Sequence, residues 1–70
     1  MDKDSLIYDL IFSEITVYSI DISKYISDMY KYDKFIDEIK SVLKKSKVSI
    51  IKEKIMVDSV SVIWEIKVKK

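Results

Sequence analysis

Seventy residues carrying 13 lysines and 12 carboxylates, with close to half the chain apolar, fit one small domain over residues 1–70, net charge +1. A core of this size supplies only a few kcal/mol, so a homo-oligomer is expected. The longest uncharged runs, Ile15–Ile20 and Ser59–Trp64, are far short of the roughly 18 residues of a membrane span. No leader pattern opens the chain, which reads as intracellular, cytoplasmic and without contact to a membrane.

The missing residues exclude more chemistry than the present ones suggest. Gly, Pro, Cys, His, Ala, Arg, Asn and Gln are all absent. Without Cys there are no disulfides. Without Cys and His, the usual zinc sites and thiol nucleophiles are gone. Without Gly there is no phosphate-cradling loop, dinucleotide fingerprint or EF-hand turn. Asp2 and Asp4 read as helix-start acids rather than ligands. Ser23 and Lys24 are adjacent on a helix and do not face each other, so they form no catalytic pair. The chain therefore reads as a non-enzyme with no cofactor and no metal. Abundant Lys beside missing Asn and Gln is a heat-adaptation tendency and fits a thermophile or viral origin.

In chain order, Leu6, Ile7, Leu10 and Ile11 recur at helical spacing, predicting a helix over Asp4–Phe12 with Asp4 as N-cap. The β-branched and aromatic run Ile15–Ile20 predicts a short strand. Asp21 or Ser23 then starts a helix over Ser23–Tyr30, and Lys31–Asp33 marks a short break. One uninterrupted helix over Ser23–Lys45 satisfies the same pattern. Lys34–Lys45 has a clear apolar stripe of Phe35, Ile36, Ile39, Val42 and Leu43 and ends near Ser46. Early acids and late lysines suit its dipole.

The C-terminal stretch predicts a β-hairpin. Val60, Val62, Trp64, Ile66 and Val68 alternate with polar residues, and Ile51, Ile55 and Val57 form a second row broken by Glu53. A two-residue turn at Asp58-Ser59 pairs Val57 with Val60, Ile55 with Val62, Glu53 with Trp64 and Ile51 with Ile66. On the other face Lys52 meets Glu65 and Lys54 meets Ile63. Glu53 is the one mismatch on the apolar face and marks the sheet's rim or a bulge.

Charge divides the chain. Residues 1–33 hold seven acids and three lysines, whereas residues 34–70 hold ten lysines and five acids. A basic half offers a surface for a polyanion, or simply a solvated exterior. Tyr25, Tyr30 and Tyr32 are interleaved with Lys24, Lys31 and Lys34, as in single-strand stacking platforms, and also as in tyrosines that bury their rings and wet their hydroxyls.

The order of elements resembles the winged helix-turn-helix DNA-binding superfamily. Ile7-Tyr-Asp-Leu-Ile followed by Ile15-Thr-Val is similar to its first helix and short strand. Phe35 through Lys45, running into Val48-Ser-Ile-Ile, is similar to its third helix entering the wing, and Val62-Ile-Trp-Glu-Ile-Lys-Val to its closing strand. The resemblance implies an α+β fold of three helices with a C-terminal hairpin, and a small protein binding double-stranded DNA, such as a transcriptional regulator. It implies that the third helix enters the major groove with Lys34, Ser41, Lys44 and Lys45. Lys52, Lys54 and Lys67 would then contact phosphate from the wing. The glycines usual in that family are missing, as are Arg, Asn and Gln, the best base-edge readers, so contact would be phosphate-dominated. The other reading is a βαββ fold, one long helix on a three-stranded antiparallel sheet, serving as a non-enzymatic protein–protein interaction module.

Overall fold

The computed structural model describes residues 2–70 as a helix α1 (Lys3–Phe12), a strand β1 (Val17–Asp21), a helix α2 (Tyr32–Lys45), and strands β2 (Ser49–Val57) and β3 (Val62–Lys69). The chain is a small α+β domain of two helices and a three-stranded antiparallel sheet with β3 between β1 and β2. From β1 onward the elements follow the βαββ order.

Residues between β1 and α2 correct both expectations for that region. Neither a helix over Ser23–Tyr30 nor one long helix over Ser23–Lys45 forms. Two single 3-10 turns, Ile22–Lys24 and Met29–Lys31, take their place. The side chain of Asp21 accepts from Ser23 N and that of Asp28 from Tyr30 N. Such local carboxylate bonds compete with helical continuation, so each Asp starts a turn and interrupts a helix. The break therefore sits at Ser27-Asp28, earlier than Lys31–Asp33. The tyrosines divide. Tyr25 and Tyr32 pack partly buried against the core, Tyr25 with its ring 5.6 Å from that of Phe35, whereas Tyr30 is exposed.

The first helix is capped two residues earlier than expected. Asp2 is the N-cap, accepting from Asp4 N at 2.9 Å. Lys70 closes the C-terminal end of the helix and the segment after it, its Nζ lying 3.3 Å from Asp9 O, 2.5 Å from the C-cap Ser13 O and 2.7 Å from Ile15 O. A cation at a helix C-terminus is favoured by the dipole.

α2 buries Phe35, Ile36, Ile39 and Leu43, the expected stripe less a half-buried Val42. It ends in a Schellman motif. Val48 N donates to Leu43 O at 2.9 Å and Lys47 N to Lys44 O at 3.2 Å. Lys47 occupies the left-handed position at φ 60°, where Gly is usual.

The hairpin pairs differently from the expected register. Val57 faces Val62, Ile55 faces Trp64, Glu53 faces Ile66, Lys54 faces Glu65 and Lys52 faces Lys67. The loop is Asp58–Ser61 rather than two residues. A two-residue loop needs positive φ, which an Asp-Ser pair without Gly supports poorly. Here Asp58 closes a longer turn, its Oδ1 accepting from Val60 N at 2.8 Å and Ser61 N at 2.7 Å. The shift is two residues, so every side chain keeps its face. A bulge at Ile51, between the Ile50 and Lys52 pairings, then switches the inward positions from odd to even numbers. Val48 is buried and Ile50 packs against the core, while Ile51 turns to solvent.

One apolar cluster joins Leu6 and Leu10 of α1, the α2 stripe, Ile20, Ile22 and Val48 to alternate β3 residues Val62, Trp64, Ile66 and Val68. Because β3 is central and α2 lies across its inner face, Trp64 has 0% of its surface exposed.

Two outcomes test this account. Lys47→Gly removes the left-handed penalty and should stabilise the fold by about 1 kcal/mol, seen as a higher unfolding midpoint. The two backbone N–H bonds to Asp58 hold its carboxyl below the ordinary carboxylate value. A lowered folded value means stabilisation that is complete above the ordinary value and lost as pH falls through the folded one. The melting-temperature gap between the protein and Asp58→Ala should therefore narrow below about pH 4.

Candidate nucleic-acid interface

The sheet has an inner face under the helices and an outer face open to solvent. Side chains of Lys52, Lys54, Glu65 and Lys67 alternate with the buried row of β3 and so point to the outer face. Lys52 and Lys67 are direct cross-strand partners, and Val17 pairs with Lys67 on its other side. Like charges directly opposite one another destabilise a sheet. Lys54 has an opposite charge, Glu65, as its direct cross-strand partner.

A second group of lysines lies around the corner of β2. Lys40, Lys44 and Lys47 line a groove between the C-terminal half of α2 and β2, with Ser49, Ile50 and Glu53. Glu53 borders both this groove and the outer-face depression formed by Lys52, Lys54 and Lys67. Its carboxylate has two bonds. Oε2 accepts from Lys40 Nζ at 2.9 Å and Oε1 from the Trp64 indole Nε1 at 3.0 Å.

The seven residues expected at a DNA interface therefore fall into four places. Lys44 lies in the α2–β2 groove. Lys52, Lys54 and Lys67 share the outer sheet face. Ser41 and Lys45 are exposed on the solvent side of α2, away from the sheet. Lys34 lies about 16 Å from Lys45 along the axis, eleven residues at 1.5 Å each. It lines a separate depression with Lys3, Lys31 and Glu38. There Lys3 and Glu38 pair at 2.9 Å, and that bond holds the Glu38 carboxyl below and the Lys3 ammonium above their ordinary values.

Lys40, Lys47 and Lys69 extend this basic surface beyond the expected set. Lys40 stands four residues before Lys44, a spacing that puts both on one helical edge, so that signal was readable. Lys47 owes its place to the left-handed turn. Lys69 pairs with Ser49 beside the Lys52–Lys67 pair. The result is a lysine-rich end of the molecule, where α2 hands over to β2 and β3 finishes.

No family model, curated protein or solved structure matches the chain. Among the described residues, no helix is long and apolar enough to cross a membrane.

Glu53 is both an electrostatic partner and the acceptor for a buried indole, and its removal should show this. Glu53→Ala leaves the Trp64 N–H without its acceptor and should cost about 1–3 kcal/mol in denaturant unfolding. Glu53→Gln keeps a carbonyl acceptor and should recover most of that loss.

Proposed function

We propose that this protein binds double-stranded DNA through phosphate contacts made by the lysine-rich end of α2, β2 and β3, as a small winged-helix-type regulator. The Lys52–Lys67 pair carries this reading. Two lysines at directly opposite positions of neighbouring strands cost the sheet stability, and a polyanion lying across them offsets that cost. Lys40, Lys44, Lys47 and Lys69 add to the same end. The winged-helix part of the proposal rests on element order. α1, β1, α2 and the hairpin succeed one another as the resemblance implies, with two 3-10 turns where the second helix would stand. α2 takes the place of the third helix and the hairpin that of the wing.

The mode of contact follows from the side chains. Lys is a point charge on a flexible stem and does not read base edges bidentately. Asp33, Asp37 and Glu38 lie toward the N-terminal half of α2 and repel phosphate. The C-terminal half of α2 therefore approaches the duplex, and sequence preference is weak.

The competing reading, a non-enzymatic protein–protein module of βαββ type, is favoured by apolar residues left in water, including Tyr30 and Val60. Salt separates the two. For about five phosphate contacts, raising salt from about 50 to 200 mM should lower duplex affinity roughly 500-fold in fluorescence anisotropy. Lys44→Glu and Lys52→Glu should each weaken binding about tenfold or more, whereas Lys34→Glu should change it little. Lys52→Glu should at the same time raise stability by up to about 1 kcal/mol, since it places opposite charges across the strand pair. Absence of binding at 50 mM salt, or equal losses for Lys34→Glu and Lys44→Glu, rules this interface out.

A further inference from the structure

α1 has one more apolar face than its own domain uses. Leu6 and Leu10 enter the core. Tyr8 and Phe12 stand on another side of the helix, 65% and 68% exposed, with their ring centroids 4.8 Å apart. Ile7 and Ile11 lie between the two faces and are half-buried, and Ile15 just beyond the helix is exposed. A helix apolar around most of its circumference belongs inside a larger core.

We infer that a second copy of this chain covers this face, giving a two-fold symmetric dimer in which the two α1 helices pack antiparallel. The area agrees. Two aromatic side chains of about 200 Å² each leave roughly 270 Å² in water at these exposures. The flanking isoleucines bring the patch to about 450 Å², the size of the largest apolar patch on a monomer, which is often functional. Two copies then bury about 900–1,000 Å², the lower limit for a specific interface and suited to a reversible dimer.

Charge supports self-pairing over a charged partner. The face contains no cation, and the one lysine of α1, Lys3, is already paired with Glu38. Asp4, Tyr8 and Phe12 follow one another at four-residue spacing, on one stripe of the helix. An antiparallel crossing centred at Leu10 sets Tyr8 of each copy against Phe12 of the other. Asp4 of each copy then lies beside the other's helix C-terminus, where the Lys70 ammonium is held. The acidic N-terminus of one helix thus meets the cationic C-terminal end of the other, and the helix dipoles oppose. The free edge of β2 fits a second copy less well, because Lys52 and Lys54 would be brought against their own kind.

This inference does not depend on DNA binding and is tested without DNA. Sedimentation equilibrium of the full chain from about 5 to 500 μM should show a monomer–dimer equilibrium with a micromolar constant. Phe12→Glu should remain monomeric throughout while keeping the far-UV circular dichroism of the parent. A monomer mass up to 500 μM in the parent overturns the inference, as does a dimer undiminished by Phe12→Glu. Should that variant unfold, cross-linking decides. The chain has no cysteine, so Tyr8→Cys and Phe12→Cys proteins, mixed and mildly oxidised, should form the mixed disulfide in preference to either homodimeric one. Failure to form it, or no preference for it, refutes the antiparallel α1 pairing.

Discussion

The fold depends on burying Trp64 in the central strand without stranding its indole N–H. Trp64 is fully covered, and its Nε1 donates to Glu53 Oε1 at 3.0 Å. An indole buried with no acceptor loses the hydrogen bond it makes to water. Glu53 supplies that acceptor from the neighbouring strand, one diagonal step from Trp64. Lys40 of α2 then pairs with the other oxygen of the same carboxylate. One residue thus ties β2, β3 and α2 together at the edge of the core. Glu53 interrupts an apolar row for this reason. The pairing puts Ile55, and not Glu53, directly across from Trp64, so the carboxylate reaches the indole from the side and stays partly in water.

A chain without glycine must make its reversals by other means, and three sites share that constraint. At Asp58–Ser61 a carboxylate organises a longer loop than glycine would require. At Lys47 a residue with a side chain occupies the left-handed position that ends α2. At Ile51 a bulge re-aims the inner edge of β2. Each has a consequence for the surface. The longer loop leaves Val60 in water, and Lys47 turns a cation into the α2–β2 groove. The bulge brings Ile50 to the core in place of Ile51.

The domain thereby acquires two distinct surfaces. One end gathers lysines from α2, β2 and β3, two of them directly opposed across the sheet. The outer side of α1 gathers aromatic side chains and has no free cation of its own. The first suits a polyanion and the second an apolar partner. A dimer formed through α1 would then present two basic ends, and bivalent attachment to one duplex strengthens contacts that are individually weak.

The sequence by itself determined the types of α1, β1, α2 and the two hairpin strands, and the faces of α2 and β3. Period-two alternation in β3 and the apolar stripe of α2 are local properties, fixed by which residues must leave water. The face of each side chain distal to the bulge survived a two-residue register error because strand parity is unchanged by an even shift. Only the tertiary structure decided the register, the bulge, the two short turns in place of a helix, and the grouping of the lysines. Register depends on how Asp58 closes its loop. The broken helix depends on competition between Asp28 and the helical backbone. The lysine groups depend on which strands become neighbours. Each of these is settled by contacts between residues distant in the chain or by small energy differences among local alternatives. Alternation of apolar and polar residues does not record either.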